Sequence, residues 1–162
     1  MRREKQTLIH RIASWIARAA FIVVFLPFII PLVAAALALY WLHQLVLYAL
    51  IWVLWLPRGK DVLLVYSDSP IWHDYMTRQV LPLVEERAVI LNWSQRSRWP
   101  KWSFSAHVFR SLGGRREFNP MVAVFRPFRR AKLFRFWSAF KDWKRGYTEP
   151  VERLRSALLR IL

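Results

Sequence analysis

Ser67, Asp68, Ser69, His73 and Asp74 bring two hydroxyls, two carboxylates and an imidazole together in one short segment. An imidazole flanked by carboxylates can move protons near neutral pH, which makes Asp68, His73 and Asp74 the candidate catalytic groups. Hydroxyls at a helix start, joined by arginines, suit a phosphate or carboxylate. Ser67, Ser69, Arg96, Arg98, Arg126 and Arg129 would form such a ligand site if their loops converge. Each group also has a plain structural account. Ser69-Pro70 is a common helix start, Asp68 and Asp74 complement a helix dipole or pair with arginines, and a lone histidine in a first turn is usually structural.

Several chemistries find no support. Asp68, His73 and Asp74 have no further clustered ligand, so no metal site is expected. Four glycines in the whole chain leave no room for a dinucleotide fingerprint or a phosphate loop, and no nucleophile elbow or zinc-protease motif is present. No cofactor is expected. There is no cysteine, which excludes disulfides and thiolate metal sites.

Charge is the stronger signal. The formal net charge is +16, and residues 93–146 hold 14 Lys and Arg against Glu117 and Asp142. Such a surface attracts phosphates, whether on lipid headgroups or nucleic acid. Trp and Phe interleave with these cations, the composition of a headgroup-level interface. Stacking on single-stranded nucleic acid would use the same residues, but no RNP-like motif accompanies them, so nucleic acid is not the expected partner. The expected lipid-facing set is Arg130, Lys132, Arg135, Lys141, Lys144 and Arg145 with Trp137 and Trp143.

Lipid is the nearest phosphate source because of what precedes the domain. Residues 19–56 form a 38-residue tract without a charged side chain. As one helix it would run about 57 Å against a hydrocarbon core of roughly 30 Å. Pro27 and Pro31 are the expected break, giving a hairpin that returns both basic flanks to the cytoplasm. Trp52 and Trp55 near the exit resemble an interfacial belt. Ahead of the tract, Leu8, Ile9, Ile12, Trp15, Ile16 and Ala19 recur at helical spacing, with Arg11 and Arg18 at headgroup level. A cleaved signal peptide fits poorly, since the apolar run is too long and no small-residue cleavage region closes it. The expected organisation is a basic segment over 1–18, a transmembrane or re-entrant hairpin over 19–57, and a cytoplasmic α/β domain over 58–162.

Within that domain, residues 62–66, 88–91 and 121–125 read as buried strands, and 71–86 and 105–112 as helices, the second stopped by Gly113-Gly114. Two amphipathic helices close the chain, one carrying Leu133, Phe136, Trp137, Phe140 and Trp143 on a face, the other Val151, Leu154 and Leu158. Alternating strands and helices imply a three-stranded parallel sheet of order 2-1-3, a half-Rossmann or flavodoxin-like unit, with ligands beyond the carboxyl ends of its strands. The run Asp61-Val62-Leu63-Leu64-Val65-Tyr66-Ser67 resembles the first strand of TIR-type signalling domains; the likeness covers that strand, and no counterpart of their catalytic glutamate helix follows.

The expected function is a non-catalytic interaction or regulatory module at an anionic membrane surface. The alternatives are a membrane-bound enzyme acting on a phosphate-bearing or lipid-linked substrate, and an accessory subunit of a larger membrane complex. A homo-oligomer is compatible with each.

Overall fold

A computed structural model describes the backbone of residues 2–113 and 119–162, with side chains before residue 25 described only at Trp15 and Ile22. Gly114, Glu117 and the side chains of the basic amphipathic face over 1–18, Trp15 apart, lie outside the described residues. The chain divides into two compact units, Met1–Tyr48 and Ala49–Leu162.

Helix α1 (Arg2–Leu54) runs through Pro27 and Pro31 without a break. The expected hairpin is therefore corrected to one long helix. The two prolines stand four residues apart, so their missing donors and ring clashes fall on one helix face and the opposite face keeps its ladder. Among the described residues one stretch, Phe25–Arg58, which takes in the end of α1 and the turn after it, is long and apolar enough to cross a membrane, and none of its most apolar window is buried.

The second unit is built on a mixed four-stranded sheet of order β2-β1-β3-β4. Strand β1 (Val62–Tyr66) pairs in parallel with β2 (Ala88–Asn92) and antiparallel with β3 (Met121–Val124), and β3 pairs antiparallel with β4 (Lys132–Arg135). The three-stranded parallel sheet is thus overturned, and with it the half-Rossmann assignment. Two local features account for the difference. The helix between β2 and β3, α3 (Phe104–Gly113), begins beside the start of β1: Phe104 meets Trp55 edge-on at 5.4 Å, and Trp55 meets Phe125, just after β3, at 5.7 Å. The helix therefore climbs the sheet and β3 must descend, the reverse of a right-handed parallel crossover. Second, the expected helical stripe from Leu133 begins as a strand, in which Phe134 is buried, and the helix starts only after the buried Phe136.

Two helical layers sandwich the sheet. On one face Val62, Leu64, Val122, Val124 and Phe134 share a core with α2 (73–84), α4 (Trp137–Trp143) and α5 (Glu149–Leu159). The middle of α2, Met76–Val80, is π-wound just ahead of Pro82. Proline removes a donor and crowds the carbonyl four residues back, and a widened turn relieves that crowding. By alternation Leu63, Val65, Met121 and Ala123 turn to the other face, all fully buried, where α3 contacts β1 and β2.

One ion pair closes the bottom of the sheet. Arg87, ahead of β2, donates from Nε to Asp61 at 2.9 Å and from a second nitrogen to the other carboxylate oxygen, and its Nη1 donates to the Leu162 carbonyl at 2.8 Å. The paired carboxylate holds the Arg87 guanidinium above its ordinary value. Across the α2–α5 contact, the Tyr75 hydroxyl donates to Glu152 Oε1 at 2.9 Å. Burial, then this bond to a carboxylate, raises the Tyr75 pKa.

Two expectations follow. Phe140 is fully buried among the rings of Trp72, Tyr75, Phe136 and Trp143. Phe140→Ala should cost about 3–5 kcal/mol in denaturant unfolding, and a loss below about 1 kcal/mol would contradict this core. Because the folded state raises the Tyr75 pKa, its contribution is complete below the free tyrosine value of about 10 and is lost as pH rises from there toward the folded value. A stability profile that bends downward above pH ~10, and is flatter in Tyr75→Phe, is the expected result.

Candidate functional site

Because β3 runs down while β1 and β2 run up, the residues expected to converge lie at two ends of the sheet. Ser67, Asp68, Ser69, His73 and Asp74 follow β1 at its carboxyl end, and Arg96 and Arg98 follow β2 there. Arg126 and Arg129 follow β3, whose end pairs with Val62 at the start of β1, so they lie at the opposite end. No single cleft contains both groups.

At the carboxyl end of β1 polar side chains bond one another, whereas His73 Nδ1 is buried without a hydrogen-bond partner. The Asp68 N–H donates to Ser94 Oγ at 2.9 Å, Asp68 Oδ1 accepts from Asn92 Nδ2 at 2.7 Å, and Asn92 Oδ1 accepts from the Ser94 N–H at 2.9 Å. Ser67 is buried and its hydroxyl accepts from Trp72 Nε1 at 3.0 Å. Ser69 works through its backbone, its carbonyl accepting from the His73 N–H at 2.9 Å. His73 Nδ1 faces Asp68 Oδ1 at 3.6 Å, beyond a hydrogen bond, and its ring packs against Tyr66 at 5.9 Å. Asp74 is exposed. Arg96 lies over the Trp93 ring at 5.0 Å, and Arg98 is exposed on the same 3-10 turn, Trp93–Arg98. This arrangement latches the β1 and β2 loops together, and none of these described hydrogen bonds joins a serine hydroxyl to a carboxylate or imidazole. Among the described residues no group of three or more His, Asp or Glu could hold a metal.

The other end of the sheet, which we call the base, is a different environment. The β3–β4 hairpin turns through Arg126-Pro127-Phe128-Arg129, closed by the Arg129 N–H donating to the Arg126 carbonyl at 3.3 Å, with Phe128 at φ 58°. Proline second and a positive φ third is turn geometry that ordinarily places glycine or asparagine where Phe128 stands. The turn borders a cleft of about 190 Å³ lined by Val124, Arg126, Arg129, Arg130, Lys132 and Ile161. Four cations and no carboxylate line it, and it is smaller than the roughly 300 Å³ at which drug-sized sites begin. Arg126 Nη2 donates to the Ile161 carbonyl at 2.6 Å, which fixes that arginine against the end of α5.

The base is also where the last turns of α1 are built into the domain. Trp55 is buried against Phe104 and Phe125, and the Trp52 ring lies 5.1 Å from that of Phe128. Among the described residues the two most exposed large apolar side chains are Trp102, at 96%, and Phe128, at 89%. Trp102 precedes Phe104 by two residues, so both aromatics belong to loops anchored on the end of α1.

The other residues expected to face lipid are dispersed. Arg130 and Lys132 join the base cleft, whereas Arg135 pairs with Met121 at the far end and donates to the Leu112 carbonyl at 3.1 Å. Lys141 covers the Trp137 ring at 3.5 Å on α4, Lys144 and Arg145 are exposed beyond it, and Trp143 turns inward onto Tyr75 and Phe140. Trp102 and Phe128 are among the aromatics that interleave with cations in the sequence, but their place at the base depends on where α3 starts and on the direction of β3.

Comparison with family models, with curated proteins and with solved structures finds no match. The functional reading therefore rests on the geometry of this chain.

Asn92→Ala removes both the acceptor of the Ser94 amide and the donor to Asp68. Hydrogen exchange at Ser94 should accelerate roughly 5- to 10-fold, the ~1 kcal/mol of one net hydrogen bond, while amides in the middle of β1 keep their protection. Unchanged exchange at Ser94 would show that the latch does not form.

Proposed function

We propose that this chain is an integral membrane protein whose α/β domain is a non-catalytic interaction or regulatory module resting, base first, on an anionic leaflet. The observation that carries this reading is the coincidence, at one end of the sheet, of the last turns of the apolar helix, two outward aromatics and a carboxylate-free cluster of four cations. An apolar helix that leaves its surface unburied is stable where the surrounding medium is itself apolar. Aromatics and arginines at its exit match the composition of the headgroup layer, where rings sit at the acyl boundary and guanidiniums reach phosphates.

A single crossing sends the two basic flanks to opposite sides, and close to the span they nearly balance: Lys5, Arg11 and Arg18 before it, Arg58 and Lys60 after it. The domain's own charge favours the cytoplasmic side, because 21 of the 26 Lys and Arg lie from Arg58 onward and the cytoplasmic leaflet carries the anionic lipid.

The full-length protein should remain in the membrane pellet after alkaline carbonate washing. The chain has no cysteine of its own, so Lys144→Cys gives a single reporter. It should react with an impermeant maleimide in inverted vesicles and not in intact spheroplasts. Release by carbonate would contradict membrane integration, and labelling of intact spheroplasts would contradict the orientation. Asp68→Ala and His73→Ala should change neither result.

A further inference from the structure

We propose that the 126–130 turn is a lipid-engaging prong: Phe128 enters the acyl boundary of the leaflet while the cleft of Arg126, Arg129, Arg130 and Lys132 holds the phosphate of an anionic phospholipid. The inference rests on the membrane reading above and names the ligand of that surface.

Three observations carry it. Phe128 occupies the turn position at which glycine is free of steric cost, and an L residue with a large side chain at positive φ is strained there. Strain of this kind persists where the side chain has a use. The fold makes little use of it, since the ring is 89% exposed and meets one aromatic face, that of Trp52. Trp52 itself belongs to the stretch Phe25–Arg58, so the ring is held at the depth where the apolar helix enters the domain.

The cations complete the argument. Arg126, Arg129, Arg130 and Lys132 border one small cleft with no carboxylate among its lining residues, a concentration of positive charge that attracts an anion. Guanidiniums arranged around a pocket grip phosphate oxygens through paired N–H donors. Because the cleft and the ring belong to the same hairpin, a ligand that satisfies both has a phosphate above and hydrocarbon below. A phospholipid in the leaflet has that form, whereas a free phosphate offers only the first half.

The test uses the full-length protein in nanodiscs. Phe128→Cys is labelled with a small fluorophore, and its quenching by lipids carrying a nitroxide high on the acyl chain is compared in discs of phosphatidylcholine alone and with phosphatidylglycerol added. At least fivefold stronger lipid quenching is expected with phosphatidylglycerol, falling to the phosphatidylcholine level when Arg126, Arg129, Arg130 and Lys132 are all replaced by alanine. Equal quenching in both discs would overturn the phosphate site. Efficient quenching by aqueous iodide in both would overturn insertion.

Inorganic phosphate added to the phosphatidylglycerol discs should leave the quenching unchanged. If it displaces the label from the leaflet, the cleft takes free phosphate and the lipid assignment fails. A label at Leu37→Cys separates this inference from the reading beneath it. Leu37 shielded from iodide with residue 128 exposed to it rejects the prong alone, whereas both positions exposed to iodide reject the membrane span. Finally, Phe128→Gly should unfold no earlier than the parent protein. Marked destabilisation would show that the ring is held for packing on Trp52, and would overturn the proposal.

Discussion

The edge-on junction of Trp55 with Phe104 and Phe125 is the contact on which the rest of the domain depends. It fastens the end of the long apolar helix to the start of α3 and the end of β3 at once. With α3 pinned at the base of the sheet, the chain must climb before it can form β3, so β3 descends beside β1 and the hairpin into β4 falls at the base. Aromatic side chains suit this role, because each buries a large area and edge-to-face contacts fix ring orientation as well as distance.

That single reversal of direction sorts the chemistry of the molecule. Had β3 run parallel to β1, Arg126 and Arg129 would have joined Ser67, Asp68 and His73 in a cleft of mixed charge. Instead the carboxylate, amide and hydroxyls at the far end close on one another through Asn92 and Ser94, and the arginines gather with Lys132 at the base among cations only. The first grouping is self-satisfied and positions two loops. The second has no carboxylate among the residues that line its cleft and lies beside Trp52 and Phe128.

Part of this was legible in the residues. The apolar run of β1, the start of a helix near Ser69-Pro70, and the uncharged tract that includes Trp52 and Trp55 are local signals, and local signals survive folding. What could not be read was set by contacts distant in sequence. Pro27 and Pro31 look like a break when each is counted as a lost hydrogen bond, yet their spacing of four leaves the opposite helix face intact. Leu133 to Trp143 fits a helical stripe, but pairing with β3 claims its first residues as a strand. Strand direction leaves no mark in a fully buried apolar strand, since Met121 to Val124 reads alike either way. The polar cluster at Ser67 to Asp74 drew attention by composition, and its partners Asn92 and Ser94 were uninformative until β2 stood beside β1.

The claim at the centre is that one end of the sheet, and not the other, meets the membrane. Hydrogen exchange by mass spectrometry on the full-length protein, compared between phosphatidylglycerol-containing nanodiscs and a neutral detergent, addresses it directly. Exchange should slow in the discs over residues 126–131 and 101–103 and stay unchanged over 93–98 at the far end. Slowing confined to 93–98, or no difference between the two media, would contradict the account.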